Sequence, residues 1–376
     1  MTRRVPAEVF PPGDFIREEL EARNWTQSDL AAILKRPLPA VNEIIKGKKA
    51  ITPDTAKALG DVFQTGPEFW LNLENAYRLA LSAPSDQDVA RRAAVYTAAP
   101  VNEMVKRKWI EWVDDAVTLE NAVLTFFDIS SIETIVESFQ SLGLAARKSS
   151  SYDENSPLEL AWCRRAVQLA KCVSAKRYNP KTIKEALPEL QRLTNSEHEI
   201  RHVPKVLADM GIRLVIVEGF PKSKVDGVAF WLDNHSPVIA LSLRSERIDG
   251  FWFTLCHELA HIVNGDKSPL DTKLVGSDRQ PTSEKPEMEQ IADRWASEFL
   301  VPTNEIDSFI LRVRPLYSKV RINQFANRLG IHPGIIVGQL QHRQEIGWHH
   351  SREMLVPIRE LIAPNAMTDG WGSVPI

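Results

Sequence analysis

The sequence predicts a mainly α protein with one small α+β unit towards its C-terminus. Apolar residues recur at helical spacing through residues 10–80 and again through 101–194. Three short runs rich in β-branched and aromatic residues then lie close together: RLVIV from Arg213, GVAFWL from Gly227 and PVIALSL from Pro237. They are followed by an apolar stretch of helical period, FWFTLCHELAHIV, Phe251 to Val263, and by further helical pattern to His342. The expected architecture is therefore five N-terminal helices, a helical middle region, and a C-terminal three-stranded sheet with the Phe251–Val263 helix and the helices after it. A chain of 376 residues exceeds one ordinary core. Changes of pattern divide it into 1–81, 82–196, 197–350 and a C-terminal tail, 351–376.

Composition narrows the function classes. Apolar content of 43% with 25% charged residues fits a globular protein. A net charge of -3 excludes a uniformly basic nucleic-acid binder but leaves room for a basic patch on one domain. Three cysteines, Cys163, Cys172 and Cys256, are too few and odd in number for a disulfide framework, which fits the reducing cytoplasm. The first fifteen residues lack the apolar core of a signal peptide. No stretch approaches the ~20 apolar residues of a membrane span.

The N-terminal helices can be taken in order. Phe15, Ile16 and Leu20 give the stretch 13–23 its apolar face. Thr26 caps a second helix from Gln27 to Leu34, with Asp29 three residues on. After Lys35-Arg36-Pro37 a third helix runs from about Leu38 to Lys46, and Gly47 fits its C′ position. Thr52 caps a fourth helix that has Pro53 at N1. Phe63 to Asn72 adds a fifth, short helix. Two short helices with a tight turn between them make a helix-turn-helix, whose second helix enters the major groove. Asn42 and Glu43 are the polar candidates for base edges. Lys35, Arg36, Lys46, Lys48 and Lys49 are the candidates for phosphates.

The runs WTQSDLAAIL, VNEIIKGKKAITPDTAKALGDVF and GPEFWLNLENAY resemble the HigA/VapI type of Xre-family antitoxin over about residues 7–80. The resemblance implies an Xre-type DNA-binding domain that acts as a homodimer on its own operator DNA and neutralises a RelE/HigB-like toxin. One departure is the opening of the recognition helix, Leu38-Pro39-Ala40, which is less polar than a base reader usually offers. Beyond it, residues 82–95 read as a polar, Ala-rich connector. The segments from Val101 to about Thr194 are helical without motif chemistry, and Trp109, Trp112, Phe126, Phe127 and Trp162 are expected in a core.

The chemistry lies in the Phe251–Val263 stretch. His257, Glu258 and His261 stand in the order H-E-x-x-H, so on a helix both imidazoles face one metal ion and Glu258 lies beside them as a candidate base. Catalytic zinc takes three protein ligands and keeps one position open. A third His in the metzincin pattern would fall at 267, where the chain has Lys267. A carboxylate from the following helix, EMEQIADRWASEFL, is the other source. Glu289 leads, with Asp293 four residues on to support a ligand His. Glu287 is the alternative, and Glu298 reads as solvated. Cys256 points away from the ligand face and reads as core. Tyr317 and His332 are the polar residues considered for stabilising an oxyanion.

DGVAFWLDNHSPVIALSLR, DGFWFTLCHELAHIVNGD and EQIADRWASEFLVP resemble the ImmA/IrrE family of metallopeptidases, and INQFANRLGIHPGIIVGQLQH resembles the helical tail of members fused to an Xre-type unit. The resemblance covers about residues 200–345. It implies a zincin-like fold and a Zn2+ site of His257, His261 and Glu289, with Glu258 as general base and Asp293 where the family more often has Asn. It also implies limited cleavage of a repressor or antitoxin protein. The function expected is a DNA-binding regulator carrying a zinc-dependent endopeptidase that takes its substrate along an edge strand such as Gly227 to Leu232. The alternative is a HigA-like antitoxin and autorepressor whose zinc unit senses or docks without proteolysis.

Overall fold

The computed structural model describes residues 10–82, 87–135, 156–221, 223, 225–266 and 287–370. The chain divides into two compact units, Met1–Gln87 and Asp88–Ile376.

The first unit is the expected five-helix domain: α1 (Pro12–Ala22), α2 (Gln27–Ile33), α3 (Leu38–Ile45), α4 (Pro53–Phe63) and α5 (Pro67–Leu81). Its core is built from Ile16, Leu20, Leu30, Val41, Leu59 and Trp70. The Thr26–Asp29 capping box starts α2, and Thr52 caps α4. Gly13 lets α1 approach α3 closely, because a Cβ there would lie 1.9 Å from the Ile45 carbonyl oxygen. The fifth helix runs nine residues further than its apolar pattern indicates, because beyond Trp70 and Glu74 it buries little.

In the second unit a four-stranded sheet lies between two layers of helices. The strands β1 (Arg213–Val217), β2 (Gly227–Trp231), β3 (Pro237–Leu241) and β4 (Met367–Asp369) stand in the order β2-β3-β1-β4. β1 is parallel to β3 and β4, and β2 is antiparallel to β3. Strand alternation sends Leu214, Ile216, Ile239 and Leu241 to one face and Val215, Val217, Phe230 and Val238 to the other, and both faces are buried.

The second face is covered by helices between residues 87 and 172: α6 (Gln87–Ala98), α7 (Val101–Lys106), α8 (Ala116–Phe127) and α9 (Pro157–Cys172). Trp162 of α9 donates from Nε1 to the Val217 carbonyl at 2.9 Å, and Arg107 donates to the carbonyls of Glu218 and Gly219. The segment expected as a separate middle region is thus one layer of this unit. The expected connector at 82–95 is largely the helix α6, whose Ala-rich pattern buries only Val95.

The first face carries α10 (Ile183–Arg192), α11 (Val203–Asp209), the long α12 (Ile248–Asn264), α13 (Glu287–Leu300), α14 (Thr303–Val313), α15 (Lys319–Leu329), α16 (Pro333–His342) and α17 (Arg359–Ile362). Helix α12 packs against β2, β3, α13 and α16. The segment expected as a C-terminal tail supplies α17 and β4, so the sheet has a fourth strand beyond the three expected. Asp369 of β4 is buried, where it accepts from Trp109 Nε1 at 2.9 Å and pairs with Arg165. Of the helical pattern expected from Val101 to about Thr194, residues 136–155 lie outside the described residues, as do residues 267–286.

Candidate metal centre

Helix α12 crosses the core with most of its apolar residues buried, so two imidazoles and a carboxylate are carried into a largely buried setting. His257 and Glu258 are buried and His261 is nearly so. Helix α13 packs along α12 and brings Glu289 to the same point. One nitrogen from each histidine and one oxygen of Glu289 lie within 4.8 Å of one another. The Glu289 oxygens are 3.0 Å from His257 Nε2 and 3.4 Å from His261 Nε2, and the two Nε2 atoms are 3.2 Å apart. Two imidazole nitrogens and a carboxylate oxygen facing one buried point form a set of three donors for a metal ion such as zinc. Glu287 is exposed, and Glu298 is spent accepting from the Thr303 amide at 2.8 Å, so neither competes with Glu289.

Each histidine is held from its far side. A carboxylate can only accept, so with a metal bound Nδ1 of each ring would carry the proton and Nε2 would face the metal; in the structure Nε2 of each ring also faces Glu289. Asp293, four residues after Glu289, accepts from His257 at 2.9 Å. Asp266 accepts from His261 at 3.1 Å, a residue the sequence reading missed. Gly265 ends α12 in the left-handed region at φ 75°, and the Asp266 amide returns to the His261 carbonyl at 2.9 Å. A Gly-Asp pair immediately after the helix was the available signal.

Electrostatics follow from this crowding. Burial pushes His257 towards the neutral form, but its bonds to Asp293 and Glu289 outweigh that and raise its proton affinity. His261 is shifted the same way, burial being outweighed by Glu289. Glu289 is held well below the usual carboxylate range, since the bonds from the two histidines exceed the cost of its burial. Glu258 goes the other way. Burial raises it, against the pull of His257 and His261, and the Ala229 amide of β2 donates to its carboxylate. Gly227 makes room for it: a Cβ there would lie 2.8 Å from Thr254 Cγ2 and 3.1 Å from Glu258 Cγ.

The other candidates fall elsewhere. Tyr317 donates its hydroxyl to Glu345 at 2.6 Å. His332 caps α16, accepting at Nδ1 from the Gly334 amide at 3.1 Å, with Nε2 3.3 Å from Glu197. Neither is an oxyanion stabiliser by these contacts. Cys256 is buried among apolar side chains and its thiol is pushed up, in keeping with a core role.

In the first unit, Lys35, Lys46, Lys48, Lys49 and Glu43 are exposed around α3. Arg36 is half-buried and donates from one guanidinium nitrogen to the Thr55 hydroxyl at 2.7 Å. Asn42 is half-buried, and its side-chain oxygen has no hydrogen-bond partner among the described residues.

Known proteins align with these two parts. Residues 16–70 match the helix-turn-helix family and residues 208–340 match the IrrE N-terminal-like domain. The chain is 35% identical over 86 residues to the uncharacterised HTH-type transcriptional regulator YddM of Escherichia coli, covering 23% of this chain and 90% of that one. It is 33% identical over 79 residues to virulence-associated protein I of Dichelobacter nodosus, covering 21% and 73%. Among solved structures it is similar to an addiction module antidote protein of the HigA family from Coxiella burnetii, at 40% identity over 19% of this chain and 79% of that one, with a TM-score of 0.19. It is also similar to the Pseudomonas aeruginosa antitoxin HigA solved with the higBA promoter, at 36% identity over 20% and 82%, with a TM-score of 0.19. The chain belongs to the family of HTH-type transcriptional regulators and carries an IrrE N-terminal-like domain in its second unit. No helix among the described residues is long and apolar enough to cross a membrane.

Proposed function

We propose that the protein is a DNA-binding regulator whose second unit is a zinc-dependent endopeptidase acting on a regulatory protein. The observation that carries this reading is the convergence of His257, His261 and Glu289 within 4.8 Å beside a buried Glu258. Those three residues would hold zinc, which when bound acidifies water and polarises a carbonyl. Glu258 takes the proton of the attacking water and returns it to the leaving amine. The Ala229 amide fixes the carboxylate, and β2 is the outer strand of its edge of the sheet, so an extended peptide can pair along it.

The test is Glu258→Gln in the zinc-loaded full chain. We expect unchanged zinc stoichiometry by elemental analysis and cleavage of a co-expressed repressor or antitoxin lowered at least 10²-fold by mass spectrometry. Cleavage at the wild-type rate would remove the peptidase reading. Loss of bound zinc in His257→Ala tests the ligand set separately.

A second reading, a homodimeric antitoxin and autorepressor with a sensing or docking zinc unit, draws on one observation. An 86-residue stretch of the chain matches 90% of the length of an HTH-type regulator, as a stand-alone regulator would. Under it, Glu258→Gln would repress its operator and neutralise a toxin as well as wild type. Under either reading, Lys48→Ala with Lys49→Ala should weaken operator binding across sequences and reduce the salt slope by about 1 to 2.

A further inference from the structure

We propose that the cleft beside the metal centre is a specificity pocket for a bulky apolar side chain, preferably aromatic, in the residue that follows the scissile bond. The proposal rests on the peptidase reading for the word scissile, but the pocket itself stands on its own geometry. The cleft has a volume of about 640 Å³, within the range of sites that enclose a small ligand. Phe253 and Thr254, one turn before His257, form one wall, and Asp293 joins it to the ligand shell. Leu300 and Ile335, both buried, lie beneath. Trp348 stands at the rim, 52% exposed, and is the natural partner for an entering ring.

Charge selects the class of side chain. The ionised groups of the wall are already matched. Asp226 takes a two-pronged contact from Arg244 at 2.6 and 2.8 Å, Arg247 pairs with Asp249, Asp293 accepts from His257, and Glu246 pairs with Arg359. An entering lysine or aspartate would lose hydration and find each counter-charge engaged, whereas a phenyl group loses nothing. His342, edge-on to Phe253 at 5.9 Å between ring centres, extends the aromatic lining.

Direction selects the position. Asp226 and Gly227, at the start of β2, adjoin the cleft, since Asp226 lines it and Gly227 packs on Thr254. A peptide antiparallel to β2, as β3 is on its other side, passes Trp231 first and Gly227 last. Its residues beyond the scissile bond therefore reach the cleft.

The test uses the zinc-loaded, full-length Glu258→Gln protein and blocked hexapeptides of alanine and serine. One residue, Phe, Leu, Gly, Asp or Lys, is moved along the peptide, and affinities are read by calorimetry. One position should favour Phe over Asp, Lys and Gly about tenfold or more. Trp348→Ala, at an exposed rim site, should remove most of that preference, and Trp348→Phe should restore it. Wild-type protein with the same peptides and mass spectrometry then locates the cut, expected immediately before the preferred residue. Equal affinities, a charged preference, no binding of the Phe series, or a preference on the other side of the cut would each overturn the proposal. Selective, Trp348-dependent binding without cleavage by wild type would leave the pocket standing and defeat the peptidase reading alone.

Discussion

Asp293 and Asp266 perform one task on two imidazoles. Each accepts a hydrogen bond from Nδ1, which would leave the Nε2 lone pair facing a bound metal. Removing such a partner lowers metal affinity about 10–100-fold. Asp293→Ala should show that loss in competition with a chromophoric chelator, and Asp293→Asn, which keeps an oxygen acceptor, should show a smaller one. Equal losses would mean that the charge of Asp293, not its hydrogen bond, matters. His332 offers a pH test away from the metal. Its Nδ1 must be bare to accept from Gly334, and burial lowers its proton affinity against the pull of Glu197. A histidine whose folded pKa is depressed binds fewer protons folded than unfolded. Its contribution is therefore present above the unfolded value of about 6.5 and is lost as pH falls below it. His332→Asn keeps a capping acceptor without the titration. The urea midpoint should drop less between pH 7.5 and 5.5 in this variant than in wild type. An equal drop would show that His332 charges without cost.

The strand β4 gives the clearest view of what a short element contributes. It has three residues, yet its Asp369 is buried between Trp109 and Arg165 and so ties the helices of 101–172 to the sheet. Asp369→Ala leaves Arg165, only partly exposed, without its carboxylate, and should lower stability by about 3 kcal/mol in urea unfolding. A loss below about 0.5 kcal/mol would place the pair among surface ion pairs. The same strand shows where sequence reading stops. β1, β2 and β3 were legible because four or five β-formers in a row leave a pattern, whereas Met367-Thr368-Asp369 is too short for alternation. The candidate ligands are legible for a different reason. His257, His261 and Glu258 lie within one turn, and Glu289 with Asp293 repeats a helical spacing on the next helix. Asp266 was not, because its place depends on the left-handed turn at Gly265. The Arg36–Thr55 bond is not legible in the sequence either, because only the fold brings Thr55 within its reach.

The two units have cores with no residue in common. One is built from residues between Ile16 and Trp70, and the others from residues between Val95 and Ile362. Each core can therefore melt as its own cooperative transition, and a ligand that binds one unit raises only that transition. A metal at 1,000 times its dissociation constant adds about 4 kcal/mol to the unit that binds it. Without it, the buried carboxylates and imidazoles of the second unit are left to satisfy one another. Calorimetry of the full chain should thus show two transitions. Chelation of the metal should lower one by several degrees and leave the other within about 1 °C, because domains of this size shift by a few degrees per kcal/mol. The fragment 1–87 should reproduce the unmoved transition, and 88–376 the moved one. A single transition that shifts as a whole on chelation would instead mean that metal occupancy and the stability of the helix-turn-helix are thermodynamically linked. A regulator that reports its metal state to DNA would need that linkage.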